Sequence, residues 1–286
     1  MSRLSSDELV GNPVKKYLSW KNIQSTKVID GEEYKKIIGG EYIYYDKDLF
    51  NEEKGENGMN VSVDFPLEFA ILDGSPFSYK GNDKANNGRY VWTKEISKYT
   101  TGNVDVRTKE GVLYTFNVED LRSKNKETKE KVKREIKAVC EDTKAMNYTQ
   151  SVYIAVKVDG EYEIWNIQIQ KSPLTGGNGD GKTKPKEEDK NDGWFNFLKT
   201  TNGKSLKNTI IVDNFKKKTI GTTSFMIPVY ELGNPIEKED LAKLEVLYEE
   251  VQTFLKYSAK GAKAEEATTE YNEGLPDFDG KSEDAP

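Results

Sequence analysis

The spacing of apolar residues changes period several times along the chain. From Glu41 the period is two: Tyr42 and Tyr44 alternate with Ile43 and Tyr45, a short strand with aromatic residues on both faces. After an Asn/Glu/Gly-rich turn, Val61, Val63, Phe65, Leu67, Phe69 and Ile71 occupy every second position and predict one strand. Pro66 inside it has no N–H for a ladder, so a bulge or an edge is expected there. The stretch from Gly88 to Lys98 and the runs Val104–Thr108 and Val112–Phe116 predict three further strands, the last two joined at Glu110-Gly111. Asn117 then opens a highly charged helix to about Val139, with Val118, Leu121, Val132, Ile136 and Val139 as its apolar face. Val152, Ile154, Val156 and Val158, a type I′ turn at Asp159-Gly160, and Trp165, Ile167 and Ile169 predict a hairpin feeding one core. Strands, a helix and a strand pair follow one another in the order of an OB-fold barrel.

The flanks are less periodic. Residues 1–40 read as a polar extension with a short helix at Ser6–Val10 and with Tyr17 and Trp20 clipped onto the body. Residues 171–192 are almost free of apolar side chains and predict a flexible loop, and their glycine cluster lacks the strand, the helix and the GK[ST] of a phosphate loop. Beyond it, Trp194, Phe195 and Phe197 mark a short helix or turn, and Thr209–Val212 and Thr222–Tyr230 predict strands. Asn234-Pro235-Ile236-Glu237 reads as the capped start of a helix with Leu241, Leu244, Tyr248, Val251 and Leu255 on one face. The expected fold is therefore mainly β with flanking helices (α+β): an OB-like barrel over residues 41–260, a C-terminal helix, and a disordered tail over 261–286.

Charge sharpens this division. The formal net charge is −6, and all of it lies in the last 26 residues, which hold eight carboxylates against Lys263 and Lys281. The body is neutral, and its tail should stay unfolded and either merely solvate the protein or compete for a cationic groove on the body while offering Asp277, Phe278 and Asp279 to partner proteins. No histidine is present and Cys140 is the single cysteine, so imidazole chemistry, the usual zinc sites and an intramolecular disulfide are excluded. No nucleophile–base pair or phosphate loop is marked, so the chain is read as a non-enzyme without cofactor or metal. No apolar run approaches 18 residues and no hydrophobic leader is apparent, which predicts a cytoplasmic protein without a membrane partner.

What remains is a set of aromatics and cations on faces that the alternation turns away from the core. With the valines of Val152–Val158 inward, Tyr153 and Lys157 point outward, and Tyr162, Asn166, Gln168 and Gln170 do so on the neighbouring strand. Tyr90, Trp92 and Lys94 share a face with Arg89 beside them, and Tyr42 and Tyr44 make a similar pair. Such platforms bind single strands with little sequence preference, each stack contributing about 1–3 kcal/mol. The combination of barrel, stacking aromatics, C-terminal helix and acidic tail resembles the single-stranded DNA-binding proteins of tailed bacteriophages. The strings NPVKKYLSWK and EYIYYD also resemble phage proteins placed near replication functions. The resemblance implies coating of single-stranded DNA during replication and recombination in the host cytoplasm, with the tail recruiting a polymerase, helicase or primase. The alternative is a structural or accessory phage protein, or a protein–protein adaptor, that binds no nucleic acid.

Overall fold

The computed structural model describes residues 10–29, 32–52, 55–142, 145–176, 192–220 and 222–260. Its centre is β9 (Asn147–Val158), which forms with β10 (Glu161–Gln170) the hairpin that the alternation predicts. Asp159 and Gly160 both take positive φ, 50° and 89°, as the type I′ turn requires. On its other edge β9 is shared by two strands. β5 (Phe77–Asp83) pairs with Asn147–Gln150, and β4 (Leu67–Asp73) pairs with Tyr153–Val156. The sheet therefore forks. One branch continues through β6 (Arg89–Thr93), β7 (Asn103–Thr108) and β8 (Gly111–Asn117), the other through β11 (Asn208–Val212) and β14 (Glu231–Pro235).

On the far side of β10 lies β1 (Lys16–Ile29) in parallel, then β2 (Glu32–Asn51) and β3 (Glu56–Ser62). The sheet has twelve strands among the described residues and ends at β3, β8 and β14, so it is a branched mixed sheet and not a closed barrel. A second hairpin, β12 (Phe215–Ile220) with β13 (Thr223–Pro228), packs against β2. Trp20 Nε1 donates to the Met226 carbonyl at 2.9 Å, and the Trp20 ring lies so close to Gly40 that a Cβ there would overlap it.

Several boundaries differ from those expected. The supposed polar extension is mostly the β1–β2 hairpin, and residue 40 falls inside β2. The run Val61–Ile71 breaks at Phe65-Pro66, a cis peptide, into β3 and β4, because the proline cannot continue the ladder. The single charged helix is two, α1 (Val118–Arg122) and α2 (Lys126–Ala138), since Asn125 caps α2 by accepting from the Glu127 and Thr128 N–H groups. Lys171–Thr175 forms α3 and Trp194–Thr201 forms α4. Pro235 ends β14 opposite Asn208, so α5 (Lys238–Ala259) starts three residues later than the Asn-Pro signal suggested.

One sheet face carries two apolar clusters. Over the centre, Trp20, Tyr42, Phe69, Ile154, Trp165 and Ile167 pack beneath Trp194 and Phe197 of α4, and over the β5–β8 branch Tyr79, Val91 and Phe116 meet Val132 and Ile136 of α2. The opposite face is covered by α5, where Leu244, Val251, Phe254 and Leu255 pack on Tyr153, Ala155 and Ile164, with Val14 and Tyr99 joining the same cluster. At the β6–β7 end of this face Tyr90 and Trp92 stay partly exposed.

Candidate nucleic-acid interface

Paired residues of antiparallel strands point to the same side, so register assigns the polar half of the second face. Trp92 stands between Lys80 and Arg107, Tyr90 stands opposite Asn82, Ser78 opposite Thr149, and Ser151 opposite Gln168, which neighbours Ser19. The Tyr90 and Trp92 rings stack at 5.4 Å and 23°, and both are half-buried. Arg107 is partly exposed and bonded to Asp105 at 3.0 Å, and Lys94 is exposed just past the end of β6. An outward indole beside three cations can take a base on its face and phosphates at its edges.

Between this platform and α5 runs a band of buried polar groups. Lys80 Nζ donates to Gln168 Oε1 at 2.6 Å, and the Tyr153 hydroxyl donates to Glu95 at 2.5 Å. Gln252 of α5 donates to Asp73 at 2.8 Å and accepts from Tyr99 at 2.9 Å. Burial lowers the Lys80 ammonium to about 8, with the nearby Glu95 charge working against it. Burial also raises the Glu95 carboxyl, opposed by hydrogen bonds from Ser151 and Tyr153 and by Lys80. Perturbed groups of this kind concentrate at functional sites. Among the described residues six buried side-chain polar atoms lack a partner, and four of them, Ser19 Oγ, Thr149 Oγ1 and both amide atoms of Asn166, lie on this same face.

The structure divides the residues expected to form one platform. Tyr90, Trp92 and Lys94 stand together. Tyr153 is on the same face but only 1% exposed, because α5 lies over it and Phe254 packs 6.5 Å from its ring. Lys157 and Tyr162 are also on this face but at the start of α5, where both reach Asp240, at 3.9 and 2.9 Å. Tyr42, Tyr44 and Arg89 belong to the opposite face and are not part of the platform. Tyr42 is 1% exposed and bonded to the Tyr230 hydroxyl at 2.9 Å, and Tyr44 lies under Lys16, whose Nζ is 4.5 Å from the ring. Arg89 pairs at 3.6 Å with the buried Asp83. The outward reading failed at Tyr42 and Tyr44 because β1 and β12–β13 bury that face, and at Tyr153 because alternation cannot foresee a helix docking from the end of the chain. Asp277, Phe278 and Asp279 lie outside the described residues.

Lys80, Ser19, Thr149 and Glu95 escaped the sequence reading. The signal for Lys80 was the alternation of Phe77 and Tyr79, hidden among Gly, Ser, Asn and Asp. Comparison with known proteins finds no family model, no curated relative and no solved structure that matches this chain. Among the described residues no helix is long and apolar enough to cross a membrane.

Proposed function

We propose that the protein binds single-stranded DNA at the partly exposed β6–β7 end of this face, with bases stacking on Trp92 and phosphates held by Arg107 and Lys94. The observation that carries the reading is the half-exposed Tyr90–Trp92 stack set among cations. It needs no closed OB barrel, because a twisted open sheet presents the same row of side chains. In a phage replication setting the acidic tail would screen these cations and recruit a polymerase, helicase or primase. A neutral body limits affinity, and binding should weaken steeply with salt as counterions are released.

The tryptophans make the test specific. Trp20, Trp165 and Trp194 are at most 5% exposed, which leaves Trp92 as the one indole of four that a base can reach. Titration with poly-dT at two salt concentrations should quench part of the fluorescence, and Trp92→Ala should remove that quench and weaken binding by about 1–3 kcal/mol. Salt-insensitive fluorescence in both proteins, or unchanged affinity in the variant, would remove the proposal. The adaptor reading is favoured by one feature, the exposed Val28, Ile38, Leu49 and Phe50 of the β1–β2 hairpin.

A further inference from the structure

Two surfaces outside the sheet face have opposite character. The first is a groove of about 660 Å³ between α5 and the segment from Val10 to Pro13. Val10, Pro13 and Val246 supply its apolar lining, and Glu245, Glu249 and Glu250 also line it, with no lysine or arginine among the described residues. Val246 is 60% exposed, and none of the three carboxylates has an ion-pair partner among the described residues. The second is a knob. After α4, Gly203 turns the chain into a single 3₁₀ turn, Lys204–Leu206, that holds Leu206 66% exposed between Lys204 and Lys207. From Trp194 to Val212 the chain carries three lysines and no carboxylate.

The two surfaces are joined through the start of α5. The Ile236 N–H donates to the Lys207 carbonyl at 3.0 Å, two residues before α5 begins, and Val246 is eight residues into that helix, roughly 12 Å along its axis. A knob and a groove on one molecule are self-complementary under a two-fold rotation, in which each copy gives its knob and receives the other's. Charge selects the occupant. DNA and the acidic tail are repelled by the three glutamates, whereas an apolar side chain flanked by lysines fits both the lining and its charge.

We infer that this groove docks the Leu206 knob of a second copy of the chain, giving a reciprocal two-fold dimer. The inference is independent of nucleic-acid binding and is tested without DNA, by sedimentation velocity over a range of protein concentrations. Wild-type protein should shift from monomer to dimer and go no further. Reversing the groove (Glu245→Lys, Glu249→Lys, Glu250→Lys) or the knob (Lys204→Glu, Lys207→Glu) should each lower the association constant about tenfold or more, since every attraction becomes a repulsion. All five positions are exposed, so circular dichroism and thermal midpoints should stay at wild-type values.

Mixing the two variants gives the decisive reading. A heterodimer restores attraction at both contacts, so the mixture should dimerise at one-to-one stoichiometry although neither component does so alone. Leu206→Asp should abolish dimerisation in either background. A wild-type protein that stays monomeric at every concentration, or a mixture that behaves as its parts, would overturn the inference. So would dimerisation appearing only after deletion of residues 1–9, because that would make the chain's own start the occupant of the groove.

Discussion

Replacing Lys80 with methionine isolates the electrostatics of the polar band. Methionine nearly keeps the length of the side chain and removes the ammonium that donates to Gln168. Burial lowers that ammonium from 10.5 to about 8 in the folded protein. The folded value lies below the unfolded one, so between about pH 8 and 10.5 the unfolded chain holds more protons at this site and wild-type stability rises with pH across that window. Below about 8 both states are charged and the full cost of burying the charge is present. At about 1.4 kcal/mol per pH unit the interval corresponds to roughly 3 kcal/mol, an upper bound because the side chain keeps part of its surface in water. Methionine escapes this cost but leaves Gln168 without its donor, a loss of about 1–3 kcal/mol. Near pH 7 the two terms oppose each other and the variant should unfold close to wild type. Towards pH 10.5 the wild type has shed its cost while the variant has not changed, so the difference should move against the variant by up to roughly 3 kcal/mol. Urea unfolding of both proteins from pH 7 to 10.5 reads this directly, and the titration of the tyrosines cancels in the difference. A difference that stays flat within about 0.5 kcal/mol would refute the claim that Lys80 is held as a buried cation.

Gly40→Ala should lower stability by roughly 1–3 kcal/mol, because its Cβ would overlap the Trp20 ring and meet Met226 Cβ at 3.0 Å. Gly11→Ala, with nothing within 4 Å, is the matched control and should change the urea midpoint little; equal midpoints for the two would show that the hairpin contact is not tight. Deleting residues 261–286 should tighten poly-dT binding most at low salt, where charges act over roughly 30 Å at 0.01 M, and should leave the thermal midpoint unchanged. Equal affinity at low salt would reduce the tail to a solubilising segment.

Local chemistry was readable where it acts alone. Asp159-Gly160 announced its hairpin, the alternation of Val104, Val106 and Phe116 announced β7 and β8, and Trp194 and Phe197 announced a short buried helix. Failures arose where one element depends on a remote one. Lys16–Ile29 has no regular alternation because its edges and faces meet partners as different as β10, β2 and the β12–β13 hairpin, and nothing local marks it as a strand. Glu231–Pro235 is a strand only because β11 pairs with it, which overrode a well-formed helix-start signal at Asn234-Pro235. Of the candidate site, Tyr90, Trp92 and Lys94 were legible because a short strand fixes their common side. Its relation to Lys80, Gln168 and Ser19 depends on strand order, which one-dimensional periodicity does not contain.

The forked pairing of β9 also dictates when the protein is able to fold. Synthesis delivers the N-terminus first, and domains ordinarily begin to fold as they emerge. Here the β1–β2 hairpin can close early, yet its inner edge waits for β10, while β4 and β5 wait for β9. Only when β9 and β10 have left the ribosome do the two branches acquire a common spine, and α5 covers part of the remaining face later still. Nascent chains therefore carry unpaired strand edges and uncovered apolar rows through most of translation, with the slow, non-local assembly that such topologies entail. Yield in a cell should be governed by how those edges are shielded during synthesis as much as by the stability of the finished sheet.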